Sequence, residues 1–346
     1  MGYRYIGSKT RVMDDIIHYL GKPTKSGGVF IDAFCGTGVV ASRAADVGWT
    51  THVNDMMEYA SVISEARLLS TQDINFINFG GYEGTLKYLN SQEAEGFIWK
   101  EYSPASKSQV GIERKYFTEE NAKRIDGATL AIHKMYNEKA ISSQERSLLL
   151  ATVIYATNSV ANIAGTYGCF LSKWTAQSQN SFELVPLTLR KDRVYYKVSN
   201  LDVFQIISEP EDVVYLDPPY TKRQYASYYH ILETIVKGDS PVVEGVSGLR
   251  PWKKNSSVFC YKMKALQALV DLTIKQKARQ VLVSYSNDGH IQLDQFVDEL
   301  QKHGAVRIVE LGSIGRYRPN AIASSHKPEV KEYLVDYRRK EDSIDE

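Results

Sequence analysis

Residues 29–34 read VFIDAF, an apolar run broken only by one acid, and CGTG follows with no apolar period of its own. A short apolar run stopped by glycines predicts a buried strand and a tight turn. VVASRAADVG then has helical spacing and is closed by Gly48, a residue suited to a helix C-terminus. THVNDMMEYASVISEARLL repeats the arrangement, with a strand at Thr51 to Asn54, an acid, Asp55, at its tip, and a helix behind it. Alternation of this kind predicts a parallel sheet covered by helices.

The rhythm stops after about Ser70 and returns near Val194. Between them the pattern is mostly helical, clearest over 118–137 and 142–163, so residues 71–196 are expected to form an inserted, mainly helical subdomain. Residues 1–70 and 197–346 then build the α/β domain. YYKVSN and VVYLDPPY supply further strands, helices follow at 228–237 and 261–276, QVLVSYS at 280–286 is a strand, and 292–303 is a helix. VRIVELG and KEYLVDYRR are expected to close the sheet as an antiparallel hairpin at its edge.

VVYLDPPY ends its strand abruptly, because the prolines at 218 and 219 donate no ladder hydrogen bond. Asp217 therefore stands at a strand's C-terminal edge, where open α/β sheets bind ligands. An Asp-Pro turn alone accounts for the same letters. CGTGVVA sets Gly36, Gly38 and Ala41 at G-x-G-x-x-A spacing, and Asp55 lies 17 residues beyond Gly38. Glycines admit a ligand close to the backbone and the acid can accept from ribose hydroxyls, which suits an NAD-binding unit as well as other nucleoside cofactors.

Charge is balanced at 42 Lys+Arg against 41 Asp+Glu, so no global field points to nucleic acid. Local basic clusters stand at Lys222-Arg223 and across Arg250 to Lys254, and the 23 tyrosines offer amphipathic rings for stacking. Cys35, Cys169 and Cys260 are too scattered for a metal site or a disulfide framework. This spacing suggests a reducing, cytoplasmic setting. No metal is expected. The start, MGYRYIGSKTRVMDD, lacks a signal-like apolar core, and LLLATVIYATNSVANIAG is interrupted before membrane length, so no membrane association is expected.

FIDAFCGTG, VND and DPPY, with YIGSK at 5–9 and NLDVF 15 residues before DPPY, resemble the S-adenosylmethionine-dependent DNA adenine-N6 methyltransferases of the α-type, or Dam/D12 class. The resemblance implies a Rossmann-like methyltransferase sheet, with the insertion reading the DNA target. It implies S-adenosylmethionine as cofactor, with Tyr5, Lys9, Asp32, Phe34, Gly36, Gly38, Asp55 and Asp202 around it: Lys9 and the glycine loop beside the methionine part, Asp55 on the ribose, Asp202 on the adenine amino group. Absent the other motifs, Lys9 reads as a surface residue and Asp202 as the cap of a turn.

DPPY suits the implied reaction. The adenine amine is a poor nucleophile, and two acceptors, the Asp217 carboxylate and the Pro218 carbonyl, can draw its N–H groups and aim its lone pair. Tyr220 can stack on the base, which must leave the duplex to reach the site. Tyr167 and Lys173 in AGTYGCFLSKW, the Lys222-Arg223 pair, and Arg250, Lys253 and Lys254 in the 246–259 loop are the expected contacts to double-stranded DNA. A separately acting restriction endonuclease is the expected partner. The alternatives are an RNA or protein-amide methyltransferase, an NAD(P)-dependent oxidoreductase, which leaves DPPY unexplained, and a non-enzymatic nucleic-acid-binding module.

Overall fold

The computed structural model describes residue 9 and residues 12–25, 27–311 and 331–340. The chain divides into two compact units. One contains Ser8–Met56, Tyr195–Gln224 and Ser257–Glu346, and the other contains Met57–Val194 and Tyr225–Ser256.

The first unit carries a seven-stranded sheet made of β1 (Val29–Asp32), β2 (Thr50–Asn54), β3 (Tyr196–Ser199), β4 (Val213–Leu216), β5 (Gln280–Ser286), β6 (Gly304–Leu311) and β7 (Glu332–Arg339). Their order is β3-β2-β1-β4-β5-β7-β6. The first five run parallel, and β7 lies antiparallel between β5 and β6. Burial explains the letters. β4 and β5 are buried at every position, as strands covered on both faces must be, whereas β6 is buried only at its two ends and serves as an edge.

Ile31, Val214, Leu216, Val281 and Val283 of the sheet pack with Leu269 and Leu272 of helix Lys262–Lys275 and with Phe296 and Leu300 of helix Leu293–Gln301. From β1 the chain order departs in opposite directions, to β2 on one side and β4 on the other. The carboxyl ends of β1 and β4 thus form the switch point of the sheet, where ligands of this architecture sit. Asp32 ends β1, in register with Tyr215 of β4.

The second unit is helical, with its longest helices at Glu119–Asn137 and Ser143–Val160. The latter buries Leu148, Leu149, Leu150, Val153 and Ile154 on successive faces, the behaviour of a helix enclosed by others. A capping box of Ser142 and Glu145 starts it. This unit is wider than residues 71–196. It begins before helix Glu58–Leu68 and takes in helix His230–Lys237, because Tyr59 donates its backbone N–H to the buried Glu233 carboxylate at 3.1 Å. The fully buried Arg114 also reaches the carbonyls of Gly245 and Val246, each at 3.1 Å. No helix among the described residues is long and apolar enough to cross a membrane.

Candidate active site

Two strand ends and one loop build the site. β1 delivers Asp32, the turn after it carries Gly36 (φ 49) and Gly38 (φ 70), and Gly38 occupies the cap position of helix Val39–Asp46 in the left-handed conformation. That backbone is open to glycine and strained for other residues. The Gly36 N–H donates to the Asp55 carboxylate at 3.1 Å, so the acid at the tip of β2 is drawn to the glycine turn. Asn54 fixes this geometry. Its side-chain amide donates to the carbonyls of Ala33 and Leu201 and accepts from the Leu201 N–H and the Ser199 hydroxyl, at 2.7–3.2 Å, joining the ends of β1, β2 and β3.

Asp32 is 1% exposed, and neither carboxylate oxygen has a hydrogen bond of ordinary geometry. Burial pushes its pKa up to about 8, the negative charges of Asp217 and Asp55 add to the rise, and the nearby backbone N–H groups of Ala41 and Phe34 offset only part of it. A buried carboxyl held only by these backbone groups and facing other acids carries a high cost for its charge, which a neighbouring cation would relieve.

β4 ends in the second half of the site. Lys9, 3% exposed, places its ammonium 3.2 Å from Asp217 Oδ1 and 2.9 Å from Glu332 Oε2. The Tyr220 hydroxyl donates to Asp217 and accepts from Lys9, and Ser284 Oγ stands 3.3 Å from it. The Tyr220 ring meets Tyr285 edge-on with centroids 5.0 Å apart. Burial lowers the Lys9 pKa, but the charges of Asp217 and Glu332 outweigh it and hold the ammonium above its ordinary range. Burial raises the Asp217 carboxyl despite its basic neighbour, and it raises Glu332 likewise. Asp217 keeps 17% of its side chain exposed, so a substrate can reach it.

Residues 5–297 match the D12 class N6 adenine-specific DNA methyltransferase family. The chain belongs to that family. It is 34% identical over 95% of its length to the Type II methyltransferase M.FokI of Planomicrobium okeanokoites, covering 51% of that protein. It is 36% identical over 89% of its length to modification methylase LlaI of Lactococcus lactis subsp. lactis, covering 50% of it. The chain thus spans about half the length of these two relatives, whereas it covers 90% of the Type II methyltransferase M.NlaIII of Neisseria lactamica, at 29% identity.

Within this D12-class chain the structure gathers Lys9, Asp217 and Tyr220 into one cluster, and the Pro218 backbone follows directly. Lys9, expected beside the cofactor's methionine part, is engaged with the DPPY acid. Tyr220, expected to stack on a base, has its hydroxyl turned to Asp217. Asp202 is exposed and caps the turn Val203–Gln205, accepting from the Phe204 N–H at 3.0 Å. Beside it Phe204 stacks on Phe259 (5.9 Å, 15°), whose ring meets Phe34 edge-on at 5.5 Å. Tyr5 lies outside the described residues.

The DNA candidates separate. Lys173, Lys222, Arg223, Lys253 and Lys254 are exposed and available to phosphates. Tyr167 is 1% exposed, so its ring packs the helical core and the expected DNA contact is corrected. Arg250 spends its guanidinium on Asp239, at 3.0 and 2.7 Å, and on Thr234, which makes it a brace of its own loop. Glu332, Ser284, Asn54, Phe204 and Phe259 escaped the sequence reading. Asn54 and Phe204 carried a signal, the first as the middle letter of VND and the second two residues after the acid of NLDVF.

Proposed function

We propose that this chain transfers the methyl group of S-adenosylmethionine to N6 of an adenine turned out of double-stranded DNA, in the cytoplasm, as the marking half of a restriction-modification pair whose endonuclease acts separately. The observation that carries the reading is Asp217 with Pro218 at the end of β4, one strand from the buried Asp32 carboxyl, which no cation neutralises among the described residues, at the switch point. Asp32 fits the positive charge that S-adenosylmethionine carries. Asp55, held on Gly36, fits a ribose diol, and Phe34, Phe204 and Phe259 with Asp202 fit a purine with an exocyclic amine. When bound, the cofactor supplies an electrophilic methyl group.

The chain's own residues do the rest. Asp217 and the Pro218 carbonyl accept the two N–H groups of the adenine amine and turn its lone pair outward. Tyr220 must release Asp217 for this, which frees its ring to stack. Stacking on an aromatic ring returns about 1–3 kcal/mol, comparable with the few kcal/mol that extrusion of a base costs. Purified protein given labelled S-adenosylmethionine and duplex DNA should yield labelled N6-methyladenine after nuclease digestion. Label confined to RNA or to protein would overturn the reading.

A further inference from the structure

Glu332 opens β7, opposite Ser286 of β5, and its carboxylate is buried beside a cation from the far end of the sequence. On a pleated sheet directly opposed residues share a face, so Glu332, Ser286 and Ser284 look the same way. The Ser284 hydroxyl, near the Glu332 carboxylate, favours its charged form. Lys9 donates to it at 2.9 Å, nearer than the 3.2 Å to Asp217. The ammonium is therefore divided between two carboxylates, and the nearer one is the less exposed, Glu332.

The charge count decides what this arrangement does. One ammonium against Asp217 and Glu332 leaves a formal charge of −1 in the cluster. When an amine begins to attack a methyl group, positive charge develops on its nitrogen, and a pre-placed negative site stabilises that charge strongly in a dry environment. Without the Glu332 charge the cluster would be neutral, and Lys9 would have Asp217 as its only anionic partner among the described residues. A second difficulty would follow. An amine displacing Lys9 from Asp217 would strand a buried ammonium, which is costly unless another anion keeps it.

We infer that Glu332 is a positioning residue for methyl transfer, holding Lys9 by its carboxylate so that Asp217 stays negatively charged and free to accept the adenine amine. The inference rests on the reading of Asp217 given above. Its test is single-turnover methyl transfer to duplex DNA at saturating S-adenosylmethionine for wild type, Glu332→Gln, Glu332→Asp, Lys9→Met and the double variant Lys9→Met/Glu332→Gln, with cofactor affinity measured alongside.

Glu332→Gln should bind cofactor within about twofold of wild type and transfer roughly tenfold more slowly, a coupling ordinary for neighbouring charges. Glu332→Asp, which keeps the charge on a shorter stem, should recover part of the rate. In the Lys9→Met background, Glu332→Gln should cost clearly less than it does in wild type, because the ammonium it holds away from Asp217 is gone. The inference is overturned if Glu332→Gln transfers at the wild-type rate, if Glu332→Asp is as slow as Glu332→Gln, or if the factor for Glu332→Gln is the same with and without Lys9. Failure of wild type to methylate DNA at all brings down the functional reading itself, a result distinct from these three.

Discussion

Asp32 and Asp217 differ in what holds them, and the difference separates their effects. Asp32 has a folded-state pKa of about 8 against 3.8 for the ordinary carboxyl. Between those values the folded chain keeps a proton that the unfolded chain has released, so stability falls as pH rises across the window. The melting temperature of the ligand-free protein should therefore drop from pH 5 to pH 8. Asp32→Asn, which cannot ionise, should flatten that drop, and equal slopes for the two proteins would contradict it. Asp217→Ala acts otherwise. Lys9 keeps Glu332 at 2.9 Å, so the fold survives and cofactor binding persists, while transfer falls on the order of a hundredfold or more, as for other groups that meet developing charge. Calorimetric cofactor binding beside single-turnover assays of the same variant checks both halves of that statement.

At the scale of elements, periodicity located what depends on periodicity. The helices expected over 118–137 and 261–276 are found at Glu119–Asn137 and Lys262–Lys275, because each presents its apolar side chains to a partner at the right interval, and the strand expected at 280–286 is Gln280–Ser286, a short run buried at every position. Contacts that depend on no interval were not legible. Lys9 and Glu332 are 323 positions apart, and the glutamate stands among the charged letters flanking an ordinary strand. The helix at 230–237 was visible as a helix, but its membership of the helical unit is settled by Glu233, whose burial no period announces. The start of helix Ser143–Val160 offers a graded test. Ser142→Ala removes one cap and should cost about 1 kcal/mol. Glu145→Ala should cost about 2–3 kcal/mol, because its carboxylate accepts from Ser142 and also from Asn75 and Phe76, at 2.6–2.9 Å. Urea unfolding of both variants gives the comparison, and equal costs would contradict the added role of Glu145.

At the scale of the molecule, the division into units changes how target choice should be tested. The exchange suggested by the pattern alone moves 71–196, yet the helical unit is completed by Tyr225–Ser256. Arg114, 2% exposed, donates to Glu101 at 2.7 Å and to the Gly245 and Val246 carbonyls. Tyr102 and Tyr116 donate to the carbonyls of Gly248 and Ser247 at 2.9 and 3.1 Å. Replacing 71–196 without 225–256 strips the Gly245, Val246, Ser247 and Gly248 carbonyls of these donors wherever the relative's segment differs, and each buried group left unpaired costs about 1–3 kcal/mol. A few such losses consume the ~5–15 kcal/mol that keep a domain folded. A chimera carrying a relative's counterpart of 71–196 alone should therefore be insoluble or melt far below the parent. One carrying the counterparts of both Met57–Val194 and Tyr225–Ser256 should fold and methylate the relative's DNA sequence, with Asp217 and Glu332 still required. Long-read mapping of N6-methyladenine in cells expressing each chimera distinguishes the outcomes. A soluble double exchange that still marks the parent's sequence would place target choice in the sheet unit, with the exposed Lys222 and Arg223 beside DPPY as the first residues to change.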